Sequence, residues 1–166
     1  MTAIARSVLV DCEAAWAELP DPPTNVWRLR WVALLALLRA VGYVLDNRDG
    51  ARSPEMRAAV DAKWAELKLR SRDDKIFWEF IDAERQGILH AYEFTASQSV
   101  TVFPQVGGLV ANASGSRVLA APRAVYTSTM ALGPFQGQAP KDVAAAALKW
   151  WHAYLDDVDR RAAHTG

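Results

Sequence analysis

The chain has almost no cysteine. Cys12 is the only one in 166 residues. That excludes an intramolecular disulfide and fits a reducing, cytoplasmic compartment. Long hydrophobic runs are also missing. The most apolar stretch, Trp31 to Leu45, carries Arg39 and is too short to span a bilayer. No membrane partner is therefore expected. The apolar start of the chain is stopped by Asp11 and Glu13, which does not fit a secretory signal. The "NAS" at Asn112 matches a glycosylation pattern but has no meaning without secretion. An excess of charge of either sign is absent too. Nineteen basic and 19 acidic side chains cancel, which excludes a broad electrostatic grip on duplex nucleic acid. A small phosphate-reactive cleft stays open.

Several site signatures are missing. There is no Cys-x-x-Cys and no His-Glu-x-x-His, and His90, His152 and His164 are not at ligand spacing. The carboxylates Asp73, Asp74, Glu79 and Asp82 are read as a solvated helix face rather than a metal site. There is no Walker A loop and no GxGxxG. Gly107-Gly108 opens a strand region, so it is read as a hairpin device. No serine sits in a G-x-S-x-G elbow. Neither a metal nor a cofactor is expected. From Ala96 to Pro140 there is no Asp or Glu, and Arg117 and Arg123 are the only charges. These two arginines are candidate binding residues on a mildly positive face. The plainer reading is a small sheet with Ser, Thr and Gln on its outer side.

What is present is apolar and aromatic. Hydrophobic residues make up 51% of the chain and charged ones 23%, with seven tryptophans. A single domain, 1–166, with a sizeable core is expected. Val8, Cys12, Ala15 and Leu19 fall at helical spacing and predict a first helix from about Ser7 to Leu19. "PDPP" ends it. Thr24 or Asn25 is expected to cap a second helix running to about Asp46, apolar nearly all round and so central. Ser53-Pro54-Glu55 reads as the cap and first turn of a third helix, to about Leu69. Ser71 and Asp74 resemble a capping pair opening a fourth helix that ends near Tyr92 or Phe94. The pattern then alternates. "SVTVF", "GGLVANASGSRVLAAP" and "AVYTSTMAL" read as strands with Gly/Ser turns. Pro140 opens a closing helix to about residue 162. The expected fold is mainly α: a bundle of about five helices over about 7–94 and 140–162. A small antiparallel β-sheet, about 98–132, is inserted before the last helix. Such a sheet is too small to stand alone.

Two stretches remain as candidates for chemistry. "WRLRW", residues 27–31, interleaves Arg with Trp, as single-strand nucleic-acid binders do. On a helix Trp27 and Trp31 share one face, so a tryptophan pair anchored in the core is the preferred reading. In "ERQGILHAY", Arg85 precedes His90 by five residues. Histidine serves as acid or base near neutral pH, and arginine stabilises a developing phosphorane charge. On a regular helix the pair diverges by about 140°. They meet at one phosphate only if the helix breaks near Gly87 or a second chain completes the site. The plain alternatives are an ion pair of Arg85 with Asp82 or a neighbouring chain, and a dipole-favoured position for His90 near a helix end.

The Arg-x4-6-His pattern late in "FWEFIDAERQGILHAYEF" resembles the motif helix of the HEPN superfamily. The likeness covers helices two to four and the last one. It implies a helical bundle that dimerises and brings two Arg/His motifs into one cleft. It implies metal-independent RNA cleavage, in toxin–antitoxin or defence systems, or RNA binding without cleavage. Arg85 and His90 would be the active pair, with Gln86 in the polar position beside the arginine. The inserted sheet is not part of that family's minimal bundle. "GPFQG" followed by "KWWHAYLDD" is similar to a tail of bacterial proteins, which implies a bacterial source and no chemistry. Beside the RNA reading stands a non-enzymatic interaction protein. There the acid-free 96–140 region would contact a second copy or another protein. A third reading is a small-ligand pocket lined by tryptophan, between the last helix and the bundle.

Overall fold

A computed structural model describes residues 1–21, 23–70, 73–103, 109–111, 117–119 and 123–164. Among them are five α-helices: α1 (Ala3–Ala17), α2 (Trp27–Val44), α3 (Pro54–Leu69), α4 (Ala83–Ala91) and α5 (Pro140–His164). Two π-helical segments join this set: π1 (Leu45–Asp49) prolongs α2, and π2 (Ile76–Asp82) leads into α4. Among the described residues four strands lie between α4 and α5: β1 (Ala96–Phe103), β2 (Leu109–Ala111), β3 (Arg117–Leu119) and β4 (Arg123–Met130). The fold is mainly α with an antiparallel insertion before the last helix, as the hydrophobic pattern requires.

Helix α1 begins at Ala3 rather than near Ser7 because distant acids hold its first turn. Asp49, fully buried at the end of π1, accepts the Ile4 N–H at 3.2 Å and the Ala5 N–H at 2.8 Å. Asp159 of α5 accepts the Thr2 N–H at 2.6 Å, and Arg6 reaches Asp159 at 2.9 Å and Asp156 at 2.7 Å. Two carboxylates at a helix N-terminus satisfy orphan amides and complement the dipole. Neither acid is near in sequence, so no local cap motif announces this start.

Helix α2 corrects a second expectation. Neither Thr24 nor Asn25 caps it through a side chain; Val26 is the cap position and makes no side-chain bond. The start is held instead by packing. Trp27 and Trp31 are buried and stacked, with ring centroids 5.3 Å apart and planes 12° apart. Arg30 donates to the Glu18 carbonyl at 2.7 Å, and Arg28 lies over the Phe94 ring. "WRLRW" is therefore a core anchor. The rest of α2 touches α1, α4, α5 and both π segments, which explains why it is apolar nearly all round.

Helix α3 starts as its sequence says, with Ser53 Oγ accepting the Met56 N–H at 3.2 Å and Pro54 in the first turn. It is tied to α5 by Lys63–Asp157 at 2.9 Å, Arg161–Glu66 at 2.5 Å and Arg161–Asp157 at 2.9 Å. Ser71, expected to pair with Asp74 as a cap, lies outside the described residues. The Asp74 carbonyl accepts the Phe77 and Trp78 amides. The fourth helix then opens as π2 before narrowing to α4.

Among the described residues the insertion is antiparallel, as expected, and comprises two strand pairs. β1 pairs with β4 in an unbroken register from Ala96↔Met130 to Phe103↔Arg123. β2 pairs with β3 from Leu109↔Leu119 to Ala111↔Arg117. Gly107-Gly108 and Asn112 lie outside the described residues. The base of the longer ribbon, Ala96 and Met130, is buried, and β4 touches α5. No helix among the described residues is long and apolar enough to cross a membrane.

Asp49→Ala should destabilise the fold by about 2 kcal/mol in urea unfolding, because two amides of α1 lose their acceptor in a buried setting. Asp49→Asn, which keeps one acceptor, should cost less.

Candidate functional site

Helix α4 runs unbroken through the candidate motif. It is α-helical from Ala83 to Ala91, so Arg85 and His90 stand about 140° apart around its axis and about 7.5 Å along it. No break occurs at Gly87. The chain turns only at Tyr92, in the left-handed region with φ 53°, and the Glu93 N–H then returns to the Gly87 carbonyl. A Cβ on Gly87 would lie 3.3 Å from the Glu93 carbonyl oxygen. The glycine therefore makes room for the returning chain and does not bring Arg85 towards His90.

Arg85 is half-buried and lines a groove of about 360 Å³ between α2 and α4. Val32, Leu35, Ala36, Ala40 and Ile88 give the groove its apolar lining, and Arg39 and Tyr43 line it too. His90 is exposed and outside that groove. Among the described residues neither side chain has a hydrogen-bond or ion-pair partner. The Arg85–Asp82 ion pair does not form. Asp82 is already engaged, by Arg39 Nε at 3.1 Å and by Gln86 Nε2 at 2.8 Å. Gln86 is thus held on the acid next to Arg85, with its side chain exposed.

The other sequence candidates are placed as follows. Arg117 stands opposite Ala111 in β3 and Arg123 opposite Phe103 in β4; their side chains lie outside the described part of the structure. Asp74 accepts the Trp150 indole N–H at 3.3 Å, so it ties π2 to α5. Among the described residues no three His, Cys, Asp or Glu side chains converge on a common point.

Sequence reasoning missed Glu84. It is 2% exposed, and neither carboxylate oxygen meets a hydrogen-bond partner among the described residues. Burial pushes its carboxyl up to about 7; the Thr95 backbone amide lies near enough to pull partly the other way but does not reach hydrogen-bond geometry. A signal was available. Phe80, Glu84 and Ile88 repeat every fourth residue, and both neighbours are buried, so helical spacing puts Glu84 on the core face. Arg85, the next residue, faces the groove. A carboxyl that titrates near neutral pH thus adjoins an arginine without a counter-ion. Shifted carboxyls of this kind occur at functional sites and also in structural cores.

Known protein families, curated proteins and solved structures offer no match to this chain. The candidate site therefore rests on its own geometry.

Glu84 sets a sign for stability against pH. Its folded value near 7 lies above the ordinary value of 4.5. Stability is fully present below the ordinary value and is lost as pH rises through 7, where folding must bury the charge. Glu84→Gln should be more stable than the parent by roughly 2 kcal/mol at pH 8, and no more stable at pH 5, in paired urea titrations. An equal difference at both values would show that Glu84 does not titrate in this window.

Proposed function

We propose that the chain is an HEPN-like protein that binds RNA or cleaves it without metal, in a cleft completed by a second copy. Roles in toxin–antitoxin or defence systems belong to the same reading. The observation that carries it is the arrangement of Arg85 and His90: among the described residues both lack partners, and they diverge on one unbroken helix. A half-buried guanidinium above an apolar groove is costly until an anion arrives. A phosphate is such an anion, and the planar fork suits it. His90 supplies a base or an acid from an exposed position. One chain does not aim both groups at one phosphorus, so two-fold pairing must bring Arg85 of one copy to His90 of the other.

Cleavage of mixed RNAs in EDTA tests this. Arg85→Ala and His90→Ala should each lower the rate by about a hundredfold or more. Mixing the two variants should restore roughly a quarter of wild-type activity, because half of the dimers then carry one intact composite site. Full activity in both variants would sink the reading. So would a pure wild-type protein that neither cleaves nor binds RNA.

A second reading, an interaction protein, is favoured by the longer ribbon. Val100, Val102 and Tyr126 are 52%, 56% and 46% exposed. The register sets Val100 opposite Tyr126 and Val102 opposite Ala124, so they share one face that continues from the buried Ala96 and Met130. Neither strand carries the lysine, proline or bulge that usually blunts an edge. Val100→Lys with Val102→Lys should reduce self-association at least tenfold in sedimentation, with the helical circular dichroism unchanged. Retained assembly would count against the ribbon as a contact surface.

A further inference from the structure

The two π-helical segments point to a site that the motif does not touch. π-Helix is rare, well under 1% of residues, and favours functional sites. In π1 the Gly50 N–H bonds to the Leu45 carbonyl at 2.8 Å, five residues back. The Ala83 amide at the end of π2 likewise reaches the Trp78 carbonyl. Both segments wall the same cavity, of about 200 Å³. Leu45, Asp46 and Asn47 come from π1, and Phe77 comes from π2. The remaining walls come from α2, α3 and α5, so five elements converge on it.

The chemistry of the walls is specific. Trp64, Phe77, Trp151 and Tyr154 line the interior. Phe77 meets Trp64 at 78° and Trp151 at 83°, and Trp151 meets Tyr154 at 75°. These rings touch one another, with centroids 5.5 to 6.0 Å apart, so the slot lies beside them, walled by their edges and faces, and such a wall suits a flat ring. Well-packed interiors rarely leave a void of this size, and an apolar cavity of about 150 Å³ already holds a benzene. Asp46, Asn47 and Tyr43 are exposed and form the mouth. The Asp46 charge is met by Arg57 at 2.6 Å, so it does not repel an anion freely.

One cation reaches the slot. Arg39 lines it and lies over the Phe77 ring at 5.9 Å. Its Nε is fixed by Asp82. Its two terminal nitrogens make no hydrogen bond among the described residues. A guanidinium held by one edge, with its other donors unused beside an aromatic slot, fits a carboxylate on a planar ring. We propose that this cavity binds a small planar aromatic carboxylate, with the ring against the wall of Trp64, Phe77 and Trp151 and the carboxylate on Arg39. The proposal does not rest on the RNA reading, and its readout is separate, although Arg39 and Tyr43 also line the groove of Arg85.

The probe is 2-naphthoate, with the neutral 2-naphthalenemethanol as its isostere, followed on the indole N–H signals of the intact protein. Trp64→Phe and Trp151→Phe assign the two signals. Naphthoate should shift those two saturably and bind at least tenfold more tightly than the alcohol. Arg39→Gln should remove that preference. Arg39→Lys, which keeps a charge beside Asp82 but loses the fork, should weaken naphthoate binding severalfold and leave the alcohol unchanged. Val60→Phe, directed into the cavity from its buried wall, should abolish binding of both without lowering Tm. If that variant does not fold, the Arg39 pair decides alone. Three outcomes overturn the proposal: no saturable shift, shifts confined to other tryptophans, or acid and alcohol bound equally with no effect at Arg39.

Discussion

Phe77 packs against four tryptophans, and the bundle is organised around that contact. Trp64 brings α3, Trp78 belongs to the same π segment, and Trp150 and Trp151 bring α5. Arg39 of α2 closes the set from above. These rings are too large and flat to interlock like leucines, so they meet at edges and tilts. Such a seam joins three elements firmly and still leaves space. The widened turns of π2 and the cavity beside it lie on this seam. Gly42 belongs to the same constraint: a Cβ there would stand 3.0 Å from the Trp151 ring, so α2 and α5 approach closely only because it is glycine.

Polar groups then fix what the aromatic seam leaves free, and they do so unequally. Asp49 accepts two amide hydrogen bonds from α1 in a fully buried position, where lost partners are costly. Lys63, Glu66, Asp157 and Arg161 form a partly exposed mesh between α3 and α5. Its opposite charges hold Glu66 and Asp157 below the usual carboxylate range, and each pair contributes modestly in water. Glu84 is the contrast. It has burial without a hydrogen-bond partner among the described residues, so above neutral pH it weakens the fold where the others strengthen it.

The motif helix inherits its geometry from both. Asp82 ends π2 and is claimed by Arg39, which the aromatic seam already positions. Arg85 thereby makes no ion pair with Asp82, and it lines the groove beside α2. His90 lies on another side near the helix end. The two side chains that look like a pair in sequence are separated by the regularity of the helix that carries them. Any chemistry they share must be assembled between chains.

Local sequence determined a good part of this protein. Hydrophobic periodicity gave the helices their faces, Ser53-Pro54 gave α3 its start, and β-branched alternation gave β1 and β4 their extended form, because those preferences act within one or two turns of chain. The spacing of Phe80, Glu84 and Ile88 already placed a carboxylate on a core face, although its apolar neighbours were needed to show the consequence. Only the tertiary structure decided the rest. Asp49 and Asp159 cap a helix from far along the chain. Asp82 pairs with Arg39 and not with Arg85. Two π segments meet at one aromatic cavity. Each depends on which distant group arrives at a given point in space, and a local pattern carries no record of that meeting.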